Sequence, residues 1–442
     1  MKFRFGGIFL VMLFNVICFT LLFFFPEIEG AKKLIFGMAV ICAMILAAYI
    51  LIYAFDLGDS YPFLIVVMLT SISIIILYSL GIHSKTVEGG TKLLNTAQNQ
   101  VMWFIVGVVV FFAAYLVYRV FKKWDSLLIL YIAGALGLFF MALVFYDRNL
   151  YSLTQTKNWI TIGNSISLQP SEFIKLCFCF SMASLFSKKD KKLEGLRNKI
   201  IGVTKEDIIA MAFMYVSLAL FVYMGELGTA VLFFAMYFSM VILYEVPWIV
   251  SWGNVLLVGF ACVVLVLLGE KVGFIGDKLN LVMARIDVWL DPTTDPGGKG
   301  YQILESLKGI TTGGNFGTGL GQSNAYLLPV AESDMIFSAI CYEMGIFMGF
   351  AVIMLYFMFT YRAFKIAMEV PNPFDRALAN VISVCFAWQT FIIVGGVTKL
   401  IPLTGITLPF VSAGGSSMII SYALLGILTA ISHNKEKSKL IG

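Results

Sequence analysis

The feature that constrains this chain most is a succession of apolar runs, each about as long as a bilayer is thick. A helix needs ~20 apolar residues to cross the hydrocarbon core. The sequence offers twelve such runs, at roughly 8–25, 34–55, 61–81, 101–121, 126–146, 170–186, 207–223, 228–245, 247–269, 335–360, 376–396 and 411–432. Hydrophobic residues make up 60% of the 442 and charged residues 13%. A soluble protein of this size cannot shield that much apolar side chain from water. A cytosolic enzyme, a nucleic-acid binder and a disordered chain are thereby excluded. The expected fold is an all-α polytopic membrane protein with about 12 transmembrane helices.

Orientation follows from where the basic residues fall, because short loops rich in Lys and Arg stay on the cytoplasmic side. With both termini cytoplasmic, the inside segments carry 18 Lys and Arg, and the outside segments carry 12 over about twice the length. The run SKKDKKLEGLRNK at 187–199 is the strongest contributor. The first run follows a short basic start but has no small-residue cleavage site, so it reads as a retained helix. All seven cysteines lie inside apolar runs without metal-ligand spacing and read as small core residues. The two histidines, His83 and His433, fall in different loops, which argues against chemistry built on a histidine base.

In that orientation residues 270–334 form an extracellular loop of 65 residues, far longer than a connection needs. Its stretch LNLVMARIDVWL suits a helix lying in the membrane interface. From Gly297 to Gly321 it holds nine glycines, which either bring backbone N–H groups up to a phosphate or simply give flexibility.

Ionisable groups in or beside apolar spans are costly, and each calls for an account. Glu172 and Lys175, three residues apart on one helix face, read equally as a pair holding the bundle together or as the lining of a polar cavity. Glu226 reads as a group snorkelling at the interface. Asp334 closes the long loop and opens the next span. There it could cap a helix, or act as a general base on a sugar hydroxyl beneath the loop. Glu343 lies nine residues on, roughly 13 Å deeper, and suits a separate buried role, protonated or paired. Arg285, Lys299, Lys308 and Lys399 are cations on the same side, able to contact headgroups or to offset charge on an anionic leaving group. Gln302 and Ser416 join them as polar candidates. The block IPLTGITLPFVSAGGSS at 401–417 breaks the approach to the last span. Irregular backbone at that depth is tolerated only where protein or a water-filled cavity satisfies it.

Several ordered stretches resemble the SEDS family (FtsW, RodA and SpoVE). They are KNWITIGNSISLQPSEFIK, GELGTA, RIDVWLDP, GKGYQILESLKGITTGGNFGTGLG, LLPVAESDMIFSAICYEMG and PLTGITLPFVSAGGSS. The resemblance implies a ten-helix core over 61–432, two accessory N-terminal helices within 1–60 and a cytoplasmic tail at 433–442. The wording around Lys399 is similar to a RodA-type subgroup. Members of the family are peptidoglycan glycosyltransferases of the bacterial cytoplasmic membrane. They polymerise lipid II on its outer face, release undecaprenyl pyrophosphate and work with a class B penicillin-binding protein.

By that resemblance Asp334 is the essential aspartate, and Glu172, Lys175 and Glu226 match the family's charged motif positions. The expected partners are lipid II, the growing glycan strand, the penicillin-binding protein and membrane lipid, with no nucleic acid. No cofactor is specified, and a divalent cation (Mg or Mn) is left open because no ligand cluster stands out. The chain departs from the family at Asn158 (usually Arg), at GELGT (usually PDLGT), at Ile393 (usually Asn) and at Ala413 (usually Tyr). A lipid II flippase and a scaffold for a penicillin-binding protein are the competing readings.

Overall fold

The computed structural model describes residues 5–24, 31–83, 90–148, 156–162, 166–194, 204–246, 251–260, 283–295, 297–298 and 300–441. Fourteen α-helices are present among them. They are α1 (Phe5–Phe23), α2 (Ala31–Ala54), α3 (Tyr61–His83), α4 (Gly90–Val120), α5 (Leu128–Phe145), α6 (Pro170–Glu194), α7 (Lys205–Met224), α8 (Leu227–Leu243), α9 (Ser251–Phe260), α10 (283–290), α11 (Tyr301–Gly313), α12 (Ile336–Glu369), α13 (Pro373–Val397) and α14 (Gly415–Ile441).

Nine of these, α1 to α5, α7 and α12 to α14, are long and apolar enough to cross a membrane. The other three expected spans have separate physical reasons. The run at 170–186 lies in α6, which carries Glu172 and Lys175 and ends in a charged stretch. The run at 228–245 is α8, only 17 residues long. Of 247–269 only 251–260 falls within the described residues. One small departure from an all-helical chain is an antiparallel hairpin, β1 (Ile160–Ile162) and β2 (Ile166–Leu168), paired Ile160↔Leu168. Its alternating isoleucines suit a pleated ribbon better than a helix.

α3 lies at the centre, 94% of its apolar window being buried, with α1, α4 and α12 packed around it. α14 runs along α4, α12 along α13, and α6 between α5 and α13. At one end of the bundle Arg362 of α12 pairs with Asp59, and its guanidinium lies 4.9 Å from the Tyr61 ring centre. The Asp59 N–H donates to Ser432 Oγ at 2.8 Å, so the linker after α2 is tied to α14.

The described part of the long loop, from residue 283 on, gathers at the other end and is folded. α10 forms within the stretch expected to lie at the interface, and α11 packs along α12. Ser306 of α11 donates to Val397 O and shares a hydrogen bond with Ser338, at 2.8 and 2.7 Å. α12 breaks at Gly345 (φ +83°), where a Cβ would fall 2.3 Å from Asn315 O, so only glycine fits. The segment after α11 splices into that break. Thr318 and Gly319 N–H donate to the carbonyls of Tyr342 and Glu343, while Ile346 N–H donates to Gly314 O. Irregular backbone is thereby satisfied from within the protein.

Candidate active site

Asp334 is set by a return of chain pinned at both ends. The Glu343 carboxyl accepts from Ser323 Oγ at 2.8 Å, and Ser79 Oγ accepts from Gly321 N–H at 2.6 Å, which fixes the start. At the finish, Ser412 Oγ donates to Ser333 O at 2.7 Å, and Ala413 N–H donates to Glu332 O at 2.8 Å. Asp334 thus stands on a seam between the long loop and the broken approach to α14. Its Oδ1 accepts from Ser333 Oγ at 3.0 Å. Its Oδ2 lies 3.6 Å from where a Cβ on Gly405 would sit. Asp334 is half-buried while Gly405 (φ +70°) is exposed, so this pair borders an open side. The cap position of α12 is Met335, with no side-chain capping bond, so the Asp334 carboxylate is not spent on capping the helix.

Burial holds the Asp334 carboxyl above its ordinary range, the Ser333 hydroxyl works against this, Glu332 reinforces it and Arg285 opposes it. The same burial lowers the proton affinity of Arg285, which Asp334 partly restores. A carboxylate with a raised pKa is a stronger base than a free one. Lys399 sits beside α10: its ammonium donates to Leu290 O at 3.4 Å, and its own carbonyl accepts from Trp289 Nε1 at 3.1 Å. It also helps hold Asp291 below the ordinary carboxylate range, behind the larger effect of the Thr293 hydroxyl and N–H.

A buried polar chain lies across the 401–417 segment. Lys175 Nζ meets Glu172 at 2.5 Å and donates to Gln389 Oε1 at 3.1 Å. Gln389 Nε2 donates to Thr407 O at 2.9 Å, and Thr407 Oγ1 shares a hydrogen bond with Ser417 Oγ at 2.9 Å. Ser416 Oγ accepts from Gln169 N–H at 3.1 Å, which ties the strap to the approach of α6. Glu226 accepts from Thr229 Oγ1 at 2.8 Å and is close enough to Glu172 for their charges to interact. It is buried, not snorkelling. Lys157 places its ammonium over the rings of Tyr146 and Tyr223, at 5.3 and 4.8 Å.

Arg285 therefore acts on Asp334, Lys399 borders the helix that carries Arg285, and Glu172, Lys175, Glu226 and Ser416 gather around the 401–417 strap. Lys308 is largely exposed and pairs with Glu305 of its own helix at 3.3 Å. Gln302 is half-buried in the first turn of α11. Lys299 lies outside the described residues.

The block GGNFGTGLG does not suit a phosphate cradle. The N–H groups of Gly317, Thr318, Gly319 and Gly321 already donate to protein oxygens. Gln389, Thr407 and Ser412 escape a search for ionisable residues, although a polar side chain amid the apolar run of α13 marks Gln389. Among the described residues no three of His, Cys, Asp and Glu stand together as a metal ligand set.

The fold and these contacts define a multi-pass membrane protein in which a long folded loop and a broken helix approach converge on one carboxylate. The FtsW/RodA/SpoVE family, described as cell cycle protein, matches residues 59–437, and the chain belongs to this family. It is 33% identical over 380 residues to the peptidoglycan glycosyltransferase RodA of Mycobacterium tuberculosis (strain H37Rv), covering 84% of this chain and 77% of that one. It is 29% identical over 389 residues to the stage V sporulation protein E of Bacillus subtilis, covering 84% and 95%. Among solved structures, the crystal structure of the Thermus thermophilus rod shape determining protein RodA aligns with a TM-score of 0.58 at 19% identity, over 86% of this chain and 97% of that one. A chain from a peptidoglycan synthase complex, solved to show how polymerisation and crosslinking are coordinated, aligns at 0.64 and 19%, over 86% and 98%.

Proposed function

We propose that this protein is a peptidoglycan glycosyltransferase that polymerises lipid II on the outer face of the bacterial cytoplasmic membrane. The observation that carries the reading is Asp334, a half-buried carboxylate of raised basicity facing an exposed glycine bend. The relatives named peptidoglycan glycosyltransferase supply the class of reaction.

In this reading Asp334 takes the proton from the 4-hydroxyl of the acceptor GlcNAc as its oxygen attacks the anomeric carbon of the growing strand. The bond to undecaprenyl pyrophosphate breaks with inversion, and the pyrophosphate leaves with the electron pair. Arg285 and Lys399, with Lys299 and Lys308 as further cations on the same loop, offset the charge that develops on it. Mg²⁺ is commonly held through one or two carboxylates plus substrate phosphates. With Asp334 serving as the base, Glu332 is the neighbouring carboxylate that would meet such an ion, the substrate's own phosphates supplying the rest. A bound cation would supply further neutralisation of the leaving group.

The termini and the basic run at 187–199 lie in the cytoplasm in this reading, with 1–60 as an accessory pair of helices on a 61–432 core. A class B penicillin-binding protein is the partner that would crosslink the product. The test is strand synthesis from lipid II by the purified protein, with and without that partner. Polymer of many disaccharides supports the reading. Movement of lipid II across vesicles without polymer would replace it with a flippase.

A further inference from the structure

Gln389 is not accounted for by the chemistry above, yet it sits where the Lys175–Glu172 pair meets the 401–417 strap. It is 1% exposed and lies in the middle of α13, amid apolar residues. A primary amide has an acceptor at one end and two donors at the other. Here both ends are used: Oε1 accepts from the Lys175 ammonium at 3.1 Å, and Nε2 donates to the Thr407 carbonyl at 2.9 Å. An ammonium has no acceptor and a carbonyl has no donor, so the amide is held in this one orientation.

Each neighbour is itself constrained. Lys175 is pinned by Glu172 at 2.5 Å. Thr407 lies two residues beyond Gly405, in backbone that forms no helix and no strand. The carbonyls of such a segment need partners from outside it. The strap thus meets Asp334 at Gly405 and the Gln389–Lys175–Glu172 chain two residues further on, at Thr407. Pro402 and Pro409 bracket this stretch and limit how far it can relax alone.

We infer that Gln389 is a positioning residue: its amide transmits the fixed Lys175–Glu172 pair to the Thr407 backbone and so sets the bend that faces Asp334. This rests on the glycosyltransferase reading for its catalytic consequence and on geometry alone for its structural one. Gln389 touches no reacting group in this account. Its loss alters how the bend is held and leaves the groups that would bind substrate intact.

The experiment compares wild type, Gln389→Leu and Gln389→Glu, each purified in the same detergent, by two readouts. Hydrogen exchange of the peptide spanning 401–414 should quicken in Gln389→Leu, with that of 415–430 unchanged. Polymerisation of lipid II should show kcat lowered about 10- to 100-fold with KM within about twofold, as a displacement near 1 Å does at a reacting centre. In Gln389→Glu an ionised carboxylate accepts from Lys175 but cannot donate to Thr407 O, whereas the protonated acid does both. Its kcat relative to wild type should therefore recover as pH falls. Unchanged exchange at 401–414 in Gln389→Leu overturns the inference whether or not the protein is active. Faster exchange with wild-type kcat overturns the catalytic link, and so does a Gln389→Glu deficit that is flat with pH. Wild type that makes no polymer sinks the glycosyltransferase reading instead, and the exchange data still decide the positional claim.

Discussion

Asp334 and Gly405 face each other across the seam between the long loop and the broken approach to α14, the carboxylate lying 3.6 Å from where a Cβ would project. The two residues are 71 apart in sequence and meet because Ser412 and Ala413 hydrogen-bond the backbone just before Asp334. The φ of +70° at Gly405 is one that other residues adopt only with strain. Gly405→Ala should cost about 1–2 kcal/mol in backbone conformation and set a methyl in van der Waals contact with the carboxylate, on its open side. The expected outcome is a slightly lowered melting temperature with a much larger loss of polymerisation. Thermal unfolding in detergent and a lipid II assay on the same preparation check both parts.

Breaking the Lys175–Glu172 pair from one side should be worse than removing both charges. Lys175→Met leaves a buried carboxylate without its partner, a loss of about 3–5 kcal/mol for pairs of this kind. Adding Glu172→Gln relieves that isolated charge. The double variant should therefore melt above Lys175→Met while staying as inactive, because the link to Gln389 is still gone. A double-mutant cycle on melting temperature and activity measures this.

Much of this architecture is legible in the residues. Nine of the apolar runs are membrane-length helices, and Asp334 ends the long loop as its place before IFSAICYEMG suggests. What could not be read has one physical cause: partners distant in sequence decide what a glycine or a polar residue is for. GGNFGTGLG looks like a flexible or anion-binding loop until Tyr342 and Glu343 are brought beside it by the break in α12. Gln389 is one amide in an apolar helix, and neither Lys175 nor Thr407 is near it in sequence. Glu226 looks like an interfacial group because its burial depends on α6 packing over it.

The acid limb of the activity should report Asp334. Its proton is held more tightly than in an unfolded chain, so the base form is lost on acidification at a pH above the usual carboxylate range. Glu332→Gln removes a raising influence and should move that limb to lower pH. Arg285→Leu removes an opposing one and should move it higher, as well as slowing the reaction. Stability runs the other way: a raised carboxyl contributes stability present below its unfolded pKa and lost as pH climbs through the folded one. Asp334→Asn should therefore lessen the loss of melting temperature across that window. Profiles of kcat/KM and of melting temperature against pH check the two signs.

The splice at Gly345 predicts a purely structural effect. Gly345→Ala would put a Cβ 2.3 Å from Asn315 O, so the loop must move and the hydrogen bonds at Tyr342 and Glu343 loosen. We expect a clear drop in melting temperature and faster hydrogen exchange across 313–321. Exchange as slow as wild type would show that the break tolerates a side chain.

The central claim is that the Asp334 carboxylate takes the proton in glycosyl transfer. Its most direct test is lipid II polymerisation by purified Asp334→Asn, a near-isosteric change that keeps an acceptor for Ser333 but removes the base. The account predicts a folded protein, melting close to wild type, that makes no glycan strand at any pH where wild type is active. Strands of wild-type length made at a wild-type rate would contradict it.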